Sequence, residues 1–289
     1  MDSQRSLIGT LAAVIIGLLV ILAGSSGSAK VGSIAVFAVC GLLAYGINWL
    51  VFIPSNIAKT EHYFDLTGSI TYVTVIAVAL LLSEDLDARA LIVGSMVVAW
   101  ALRLGSFLFR RVRRDGRDGR FDEIKVDPLR FFMTWTLQGL WVLLTLAAAL
   151  AIITGAERKA IGWVAIVGIA VWVIGFAIEV VADRQKSAFK RNSDNKGRFI
   201  TTGLWAWSRH PNYFGEIILW IGVALIAIPV LSGWRWFMLI SPVFVILLLT
   251  RVSGIPMLEA RSEARWCEEE SFREYTENTP ALIPRPPRS

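Results

Sequence analysis

The chain alternates long apolar runs with short polar connections. Eight apolar runs lie at roughly residues 7–23, 31–53, 68–83, 90–109, 131–153, 160–182, 214–231 and 235–251. An α-helix that crosses the hydrocarbon core of a bilayer needs ~20 residues at a rise of ~1.5 Å per residue. The pattern predicts an all-α, polytopic integral membrane helical bundle. It has about seven or eight transmembrane helices, depending on whether the short third run spans.

Basic residues concentrate in the connections on one side of these runs. The connections after the fourth and the sixth run are rich in Lys and Arg, and those on the opposite side carry few. Cytoplasmic connections of membrane proteins carry an excess of Lys and Arg. We therefore expect both termini and the basic loop 110–130 to be cytoplasmic.

Composition supports this class of protein and excludes others. The chain is 55% hydrophobic, and its net charge of +6 is explained by the basic cytoplasmic connections. We find no soluble basic domain that would bind nucleic acid. Two cysteines and two histidines give neither a disulfide framework nor the spacing of a metal site. The sequence contains no glycine-rich dinucleotide-binding or P-loop motif, so we expect any nucleotide to bind between helices.

Most of the polar residues that are candidates for a functional site lie in the second half of the chain. We divide the chain into N-terminal transmembrane helices over 1–155 and a more polar C-terminal region over 156–289. In the tail, the stretch from Glu259 to Tyr275 has no internal Gly or Pro and is predicted to be one helix.

A polar segment precedes the seventh run and reads Ser208-Arg209-His210-Pro211-Asn212-Tyr213-Phe214-Gly215-Glu216. Proline suits the first turn of a helix, so a helix is predicted to begin near Pro211. The N–H groups and dipole of a helix N-terminus favour an anion. This segment, the polar turn, is interpreted as a site for a phosphorylated or carboxylated ligand. The alternative is a polar cap whose hydrogen bonds are satisfied within the protein.

The sixth run ends in four charged residues spaced by four, three and four: Glu179, Asp183, Lys186 and Lys190. In a helix these positions share one face. An acidic residue inside a membrane span usually faces a cavity or a partner. Either Glu179 and Asp183 accept hydrogen bonds from a ligand while Lys190 meets phosphate, or the four form a ladder of ion pairs at the end of the span.

Two further groups of polar residues are candidates for the site. Arg251 and Glu259 follow the last run, and Arg251 either contacts phosphate or snorkels to lipid headgroups. The loop before the third run supplies candidate proton donors, and the third run adds one more. These candidates are Glu61, Tyr63, Asp65 and Tyr72, and Asp65 is equally suited to cap the next helix.

The polar turn, with Gly203-Leu204-Trp205 before it and Trp220-Ile221-Gly222 after it, resembles the steroid 5-alpha-reductase superfamily, in its bacterial branch of reductase-like membrane proteins. The resemblance covers roughly residues 160–287. It implies a membrane-helical fold that binds NADPH on the cytoplasmic side and reduces an activated double bond. The resemblance and the polar pattern together assign the following residues to cofactor binding: Glu179, Asp183, Lys190, Trp205, Arg209, His210, Asn212, Tyr213, Glu216, Arg251, Glu259 and Tyr275.

The chain departs from this superfamily at several positions. Glu179 and Lys190 replace the family's Asn and Arg, and Ile255 and Glu259 stand where the family has His and Tyr. The Gln-Glu pair that polarises the substrate carbonyl in the steroid enzymes is absent. A steroid substrate therefore does not follow from the resemblance.

The resemblance leads to an NADPH-dependent reductase of an activated C=C bond in a steroid-like or other lipidic substrate. We expect the protein to be a monomer and the substrate to enter it from the bilayer. The alternative is a membrane methyltransferase that uses S-adenosylmethionine. Isoprenylcysteine and phospholipid methyltransferases also carry an Arg-His-Pro-x-Tyr turn. A third possibility is a non-catalytic lipid-binding membrane protein.

Overall fold

A computed structural model describes residues 3–115 and 119–287, without the side chains of 111–115 and 120; much of the arginine-rich part of loop 110–130 thus lies outside the described residues. Its helices are α1 (Ser3–Ser25), α2 (Val36–Ile57), α3 (Phe64–Leu82), α4 (Ala88–Asp115), α5 (Pro128–Thr154), α6 (Trp163–Arg191), α7 (Pro211–Ala227), α8 (Ile240–Leu247), α9 (Ile255–Trp266) and α10 (Glu270–Asn278). The strands β1 (Lys30–Val31) and β2 (Ile34–Ala35) form an antiparallel hairpin.

The described residues contain eight helical segments that are long and apolar enough to cross a membrane. This confirms the predicted all-α, multi-pass architecture. The eighth segment is not one regular α-helix. It begins with 3-10 turns over Gly233–Leu239, continues as α8, and passes through a π-helical stretch at Leu248–Val252 before α9.

The chain forms two compact units. The first unit comprises Met1–Gly162 and Ala227–Ser241, and the second comprises Trp163–Ile226 and Pro242–Ser289. All residues assigned above to cofactor binding belong to the second unit. The four candidate proton donors belong to the first.

The first unit is built around α5, which packs against α1, α2, α3 and α4. Asp127 caps its N-terminus by accepting hydrogen bonds from the backbone N–H groups of Leu129 and Arg130. At its other end the buried guanidinium of Arg235 donates a hydrogen bond to the carbonyl of Ala151. The core helix of this unit is therefore capped at both ends.

Glycines spaced by seven residues bring α6 and α7 of the second unit into close antiparallel contact. A Cβ on Gly175 would lie 2.6 Å from the carbonyl oxygen of Gly215, and a Cβ on Gly168 would lie 2.8 Å from that of Gly222. Only glycine allows two backbones to approach this closely, as at many membrane helix interfaces. The α6–α7 glycine contact fixes which residues of the two helices face each other.

Two details of the sequence predictions are wrong. The tail forms two helices rather than one over Glu259–Tyr275, because α9 ends at Trp266 and α10 begins at Glu270. Trp266 and Phe272 both pack on Phe199, which needs a bend between them. Asp65 is not the cap of α3, since Tyr63 occupies that position and Asp65 lies in the first helical turn.

Candidate functional site

The polar turn enters α7 at Pro211, as its sequence predicts. Pro211 has no N–H to leave unsatisfied, and its fixed φ suits a first helical turn. The backbone N–H of His210 donates to Ser208 Oγ at 3.1 Å, and the N–H of Phe214 donates to the carbonyl of His210 at 3.1 Å. The residues before the helix are therefore held by local hydrogen bonds.

Glu259 of α9 binds two residues of the polar turn at once. Its Oε1 lies 2.6 Å from Nε2 of His210, and its Oε2 lies 3.2 Å from Nη2 of Arg209. The ring of Tyr213 stacks on the imidazole of His210, with ring centroids 5.7 Å apart. The structure thus brings together four of the predicted site residues, Arg209, His210, Tyr213 and Glu259.

The C-terminal tail runs along the same turn. The N–H of Arg209 donates to the carbonyl of Pro280 at 2.9 Å, and the hydroxyl of Ser208 donates to the carbonyl of Leu282 at 2.8 Å. The N–H of Arg285 donates to the carbonyl of Trp207 at 2.9 Å. The tail therefore forms one side of the site. Its prolines do not by themselves predict this position.

Trp205 and Tyr275 use their polar atoms inside the second unit. The indole N–H of Trp205 donates to the carbonyl of Ala182 at 3.0 Å, and the hydroxyl of Tyr275 donates to the carbonyl of Trp205 at 2.7 Å. The ammonium group of Lys186 lies 4.3 Å from the centre of the Trp205 ring. These contacts hold the polar turn against α6, so both aromatic residues act on the site through its scaffold.

The carboxylates of α6 are buried close to the start of α7. Glu179 and Asp183 are one turn apart, and both are among the few buried residues of α6. A Cβ on Gly215 would lie 2.6 Å from the backbone nitrogen of Glu179. Asn212 and Glu216 share one face of α7, and they stand on either side of Gly215 in the sequence. The α6–α7 glycine contact therefore places the backbone of Glu179 against the first turns of α7, with Asp183 one turn further along α6.

The two predicted phosphate contacts, Lys190 and Arg251, are exposed near the ends of their helices. Arg251 lies in the π-helical stretch, where the N–H of Ser253 donates to the carbonyl of Leu248 at 2.9 Å. Such single π-helical turns occur often at functional sites.

An apolar pocket of about 280 Å³ adjoins the polar turn within the second unit. Its walls come from α6, the turn before α7, the start of α7 and the tail. They are formed by Ile178, Leu204, Trp207, Pro211, Phe214, Ile283 and Pro284. Trp207 and Pro211 enclose the segment that holds Arg209 and His210. Apolar and polar binding surfaces therefore meet at the same turn.

The candidate proton donors of the first unit differ in their surroundings. Glu61 accepts a hydrogen bond from Lys125 at 2.7 Å, and its side chain is only 3% exposed. Tyr63 is largely exposed and Asp65 is half-buried. Tyr72 is half-buried inside α3 and meets Trp100 edge-to-face, with ring centroids 5.0 Å apart. The Lys125 partner of Glu61 was not predicted, since 64 residues separate the two in sequence.

Burial decides the protonation of two groups in the second unit. Loss of hydration lowers the pKa of His210 below its usual 6.5, and the hydrogen bond to Glu259 opposes this shift without cancelling it. Burial raises the pKa of Tyr275 above its usual 10. At neutral pH the imidazole of His210 and the phenol of Tyr275 are therefore uncharged.

Two buried nitrogens of the polar turn have no hydrogen-bond partner among the described residues. They are Nδ1 of His210 and Nε of Arg209. Buried polar atoms in native proteins are almost always hydrogen-bonded, and an exception calls for an explanation. Within the described residues, the polar turn therefore keeps two polar atoms that a ligand could pair.

These features define a multi-pass helical membrane protein with a polar site at the start of α7. Residues 51–279 match the model of the family described as "Protein of unknown function (DUF1295)". The chain belongs to this family, which is related to the steroid 5-alpha-reductases.

Curated relatives connect the chain to two kinds of enzyme. It is 29% identical over 122 residues to "Steroid 5-alpha-reductase DET2" of Gossypium hirsutum, which is 42% of each chain. It is 26% identical over 117 residues to "3-oxo-5-alpha-steroid 4-dehydrogenase 1" of Rattus norvegicus, which is 40% of each. It is 34% identical over 90 residues to "Probable O-methyltransferase ustE" of Ustilaginoidea virens, which is 31% of each. The chain thus spans less than half the length of these relatives, and no solved structure matches it.

Proposed function

We propose that this protein is an integral membrane reductase that uses NADPH to reduce an activated C=C bond in a lipidic substrate. The observation that carries the proposal is the pair of buried carboxylates, Glu179 and Asp183, beside the start of α7. Carboxylates in a membrane span usually serve a ligand or a partner. Two relatives with reductase or dehydrogenase names support the same class of reaction.

The residues of the second unit fit a dinucleotide. Carboxylates such as Glu179 and Asp183 accept hydrogen bonds from ribose hydroxyls, as acidic residues do in other nicotinamide sites. Exposed cations, Lys190 and Arg251, suit phosphate groups. The start of α7 adds N–H groups and a favourable helix dipole. We infer that these elements hold the cofactor, and that Asn212 and Glu216 orient it.

When bound, NADPH supplies the hydride; the protein supplies position and polarity. The apolar pocket beside the polar turn suits a hydrocarbon part of a ligand, because no charged side chain lines it. The four candidate acids of the first unit, Glu61, Tyr63, Asp65 and Tyr72, stay predictions as proton donors. Glu61 is less suited, because it is an ion-pair partner of Lys125.

A methyltransferase that uses S-adenosylmethionine is the second candidate. The similarity to a probable fungal O-methyltransferase favours it. The two carboxylates on α6, together with Asn212 and Glu216, favour the reductase. We further propose that the cofactor site faces the cytoplasm of a bacterial cell and that the protein acts as a monomer.

Binding of the two cofactors to purified protein in detergent separates the candidates. We expect NADPH to bind and S-adenosylmethionine not to bind. Asp183→Ala and Asn212→Ala should each weaken NADPH binding about tenfold, which corresponds to ~1.4 kcal/mol. Asp194→Ala is the matched control, because Asp194 is an exposed acid on the turn after α6. The reductase proposal fails if NADPH does not bind, or if neither substitution changes the affinity for NADPH.

A further inference from the structure

The contacts of Glu259 determine which nitrogen of His210 carries the proton. Oε2 of Glu259 pairs with the guanidinium of Arg209, so the carboxylate is ionised and can only accept hydrogen bonds. Oε1 lies 2.6 Å from Nε2 of His210. Nε2 must therefore be the donor in this pair. In a neutral imidazole with a proton on Nε2, Nδ1 keeps a lone pair and is an acceptor.

This acceptor lies in a buried ring. His210 is 5% exposed, and its Nδ1 has no hydrogen-bond partner among the described residues. Leaving a buried acceptor without a donor costs free energy, so such atoms normally have partners. The ring itself is held by Glu259 at one edge and by Tyr213 on one face. It cannot turn freely to find a donor elsewhere.

We propose that Nδ1 of His210 accepts a hydrogen bond from a neutral donor of the bound ligand, a hydroxyl or a carboxamide N–H, and that Glu259 is the residue that orients the ring. The identity of the ligand rests on the proposed function, since NADPH carries both kinds of donor. Glu259 replaces the tyrosine that the steroid enzymes have at this position, so the arrangement belongs to this chain.

The proposal changes the interpretation of the polar turn. A fixed Nδ1 lone pair repels phosphate oxygens, so this edge of His210 suits a neutral donor and not an anion. The charges that face His210 are those of Glu259, Arg209 and Lys186, and burial keeps its pKa below the usual value. The neutral form is therefore the relevant one at neutral pH. Phosphate contacts then fall to the N–H groups at the start of α7 and to the exposed cations at the helix ends.

Two substitutions separate the roles of the two ring nitrogens. In His210→Asn the amide oxygen can occupy the position of Nδ1, but the link to Glu259 is lost. In His210→Gln the amide N–H can reach Glu259, but the Nδ1 acceptor is lost. We expect NADPH binding to His210→Gln to be weakened about tenfold and to His210→Asn to be weakened less than about threefold. The opposite order, or equal affinities, would overturn the proposal.

A spectroscopic measurement tests the acceptor without any ligand. The chain has only two histidines, so ¹⁵N-histidine labelling gives two sets of signals, and His62→Gln assigns them. We expect Nδ1 of His210 to be unprotonated and Nε2 to be protonated near pH 7.5. Addition of NADPH should shift the Nδ1 signal as its lone pair accepts a hydrogen bond.

The two measurements distinguish failure of the inference from failure of the proposed function. A protonated Nδ1 in the free protein overturns the inference whatever the ligand is. A protein that binds NADPH without any shift of the Nδ1 signal overturns the inference and leaves the reductase proposal standing. A protein that binds no NADPH overturns the reductase proposal together with the ligand assigned to His210.

Discussion

Helix α5 of the first unit and helix α6 of the second are similar in length, and each contains a long apolar stretch, but they differ in burial. Of the most apolar stretch, 89% is buried in α5 and 28% in α6. The buried side chains of α5 are those expected of a packed core. Only seven residues of α6 are buried, and two of them are carboxylates, Glu179 and Asp183.

The difference shows which buried polar residues are informative. In a helix that is buried everywhere, a polar side chain is enclosed whatever its role. In a helix that is mostly exposed, a polar residue is enclosed only where a local contact covers it. For Glu179 that contact is the glycine face of α7. The carboxylates of α6 are therefore better evidence for a site than the polar residues around α5.

The largest expected effect is in the first unit and should leave cofactor binding intact. Lys125→Ala removes an ion-pair partner of Glu61, whose side chain is almost completely buried. Loss of one partner from a buried ion pair is strongly destabilising, by up to roughly 3 kcal/mol. We expect a large fall in the thermal unfolding temperature in detergent, with little change in NADPH affinity at temperatures where the protein is folded.

The exposed Lys196 provides the control, and Lys196→Ala should change the stability by less than about 0.5 kcal/mol. If Lys125→Ala abolished NADPH binding in folded protein, the polar residues of the first unit would have to be counted as part of the cofactor site.

A medium effect is expected where α6 meets α7. A Cβ on Gly215 would lie 2.6 Å from backbone atoms of both Glu179 and Gly175, and backbone cannot move aside easily. Overpacking of this kind costs about 1–3 kcal/mol. Gly215→Ala should therefore lower the unfolding temperature and also weaken NADPH binding, because it displaces Glu179, Asn212 and Glu216.

Gly46→Ala is the matched control, since a Cβ there meets nothing within 4 Å. Alanine is the better helix former, so this substitution should leave the protein as stable or slightly more stable. If Gly215→Ala and Gly46→Ala had the same unfolding temperature and the same NADPH affinity, the glycine contact of α6 and α7 would not be what holds the site.

The smallest effect concerns pH. Because burial lowers the pKa of His210, the unfolded chain binds a proton below pH 6.5 that the folded chain resists. The stability contributed by this group is fully present above pH 6.5 and is lost as the pH falls toward the folded pKa. The slope cannot exceed roughly 1.4 kcal/mol per pH unit for one proton.

Comparison of unfolding temperatures between pH 8 and pH 5 for the wild type and His210→Gln isolates this term. The wild type should lose more stability on acidification than the variant. Parallel curves would mean that His210 is not buried in its neutral form.

Much of the fold follows from the sequence, because the length of an apolar run is fixed by bilayer thickness. All eight predicted runs correspond to helical segments that can span. The start of α7 at Pro211 also follows from local chemistry. Helix ends in the tail do not, because the break after Trp266 depends on packing against Phe199, some seventy residues earlier.

The contacts that site residues make with distant parts of the chain also cannot be predicted from the local sequence. Glu259 lies 49 residues from His210, and no spacing rule connects them. The contact of Glu179 with Gly215 could have been predicted from the glycines that lie seven residues apart on both α6 and α7. That spacing shows which helix faces meet, and so which polar residues share a site.

The most direct test of the central claim is hydrogen–deuterium exchange of the protein in detergent, with and without NADPH. We predict that NADPH slows amide exchange in the connection 198–210 and in the tail segment 279–285, which enclose the polar turn. Exchange in the loop 58–63 of the first unit should not change. Protection confined to the first unit, or no protection anywhere in the presence of saturating NADPH, would contradict the assignment of the cofactor site to the second unit.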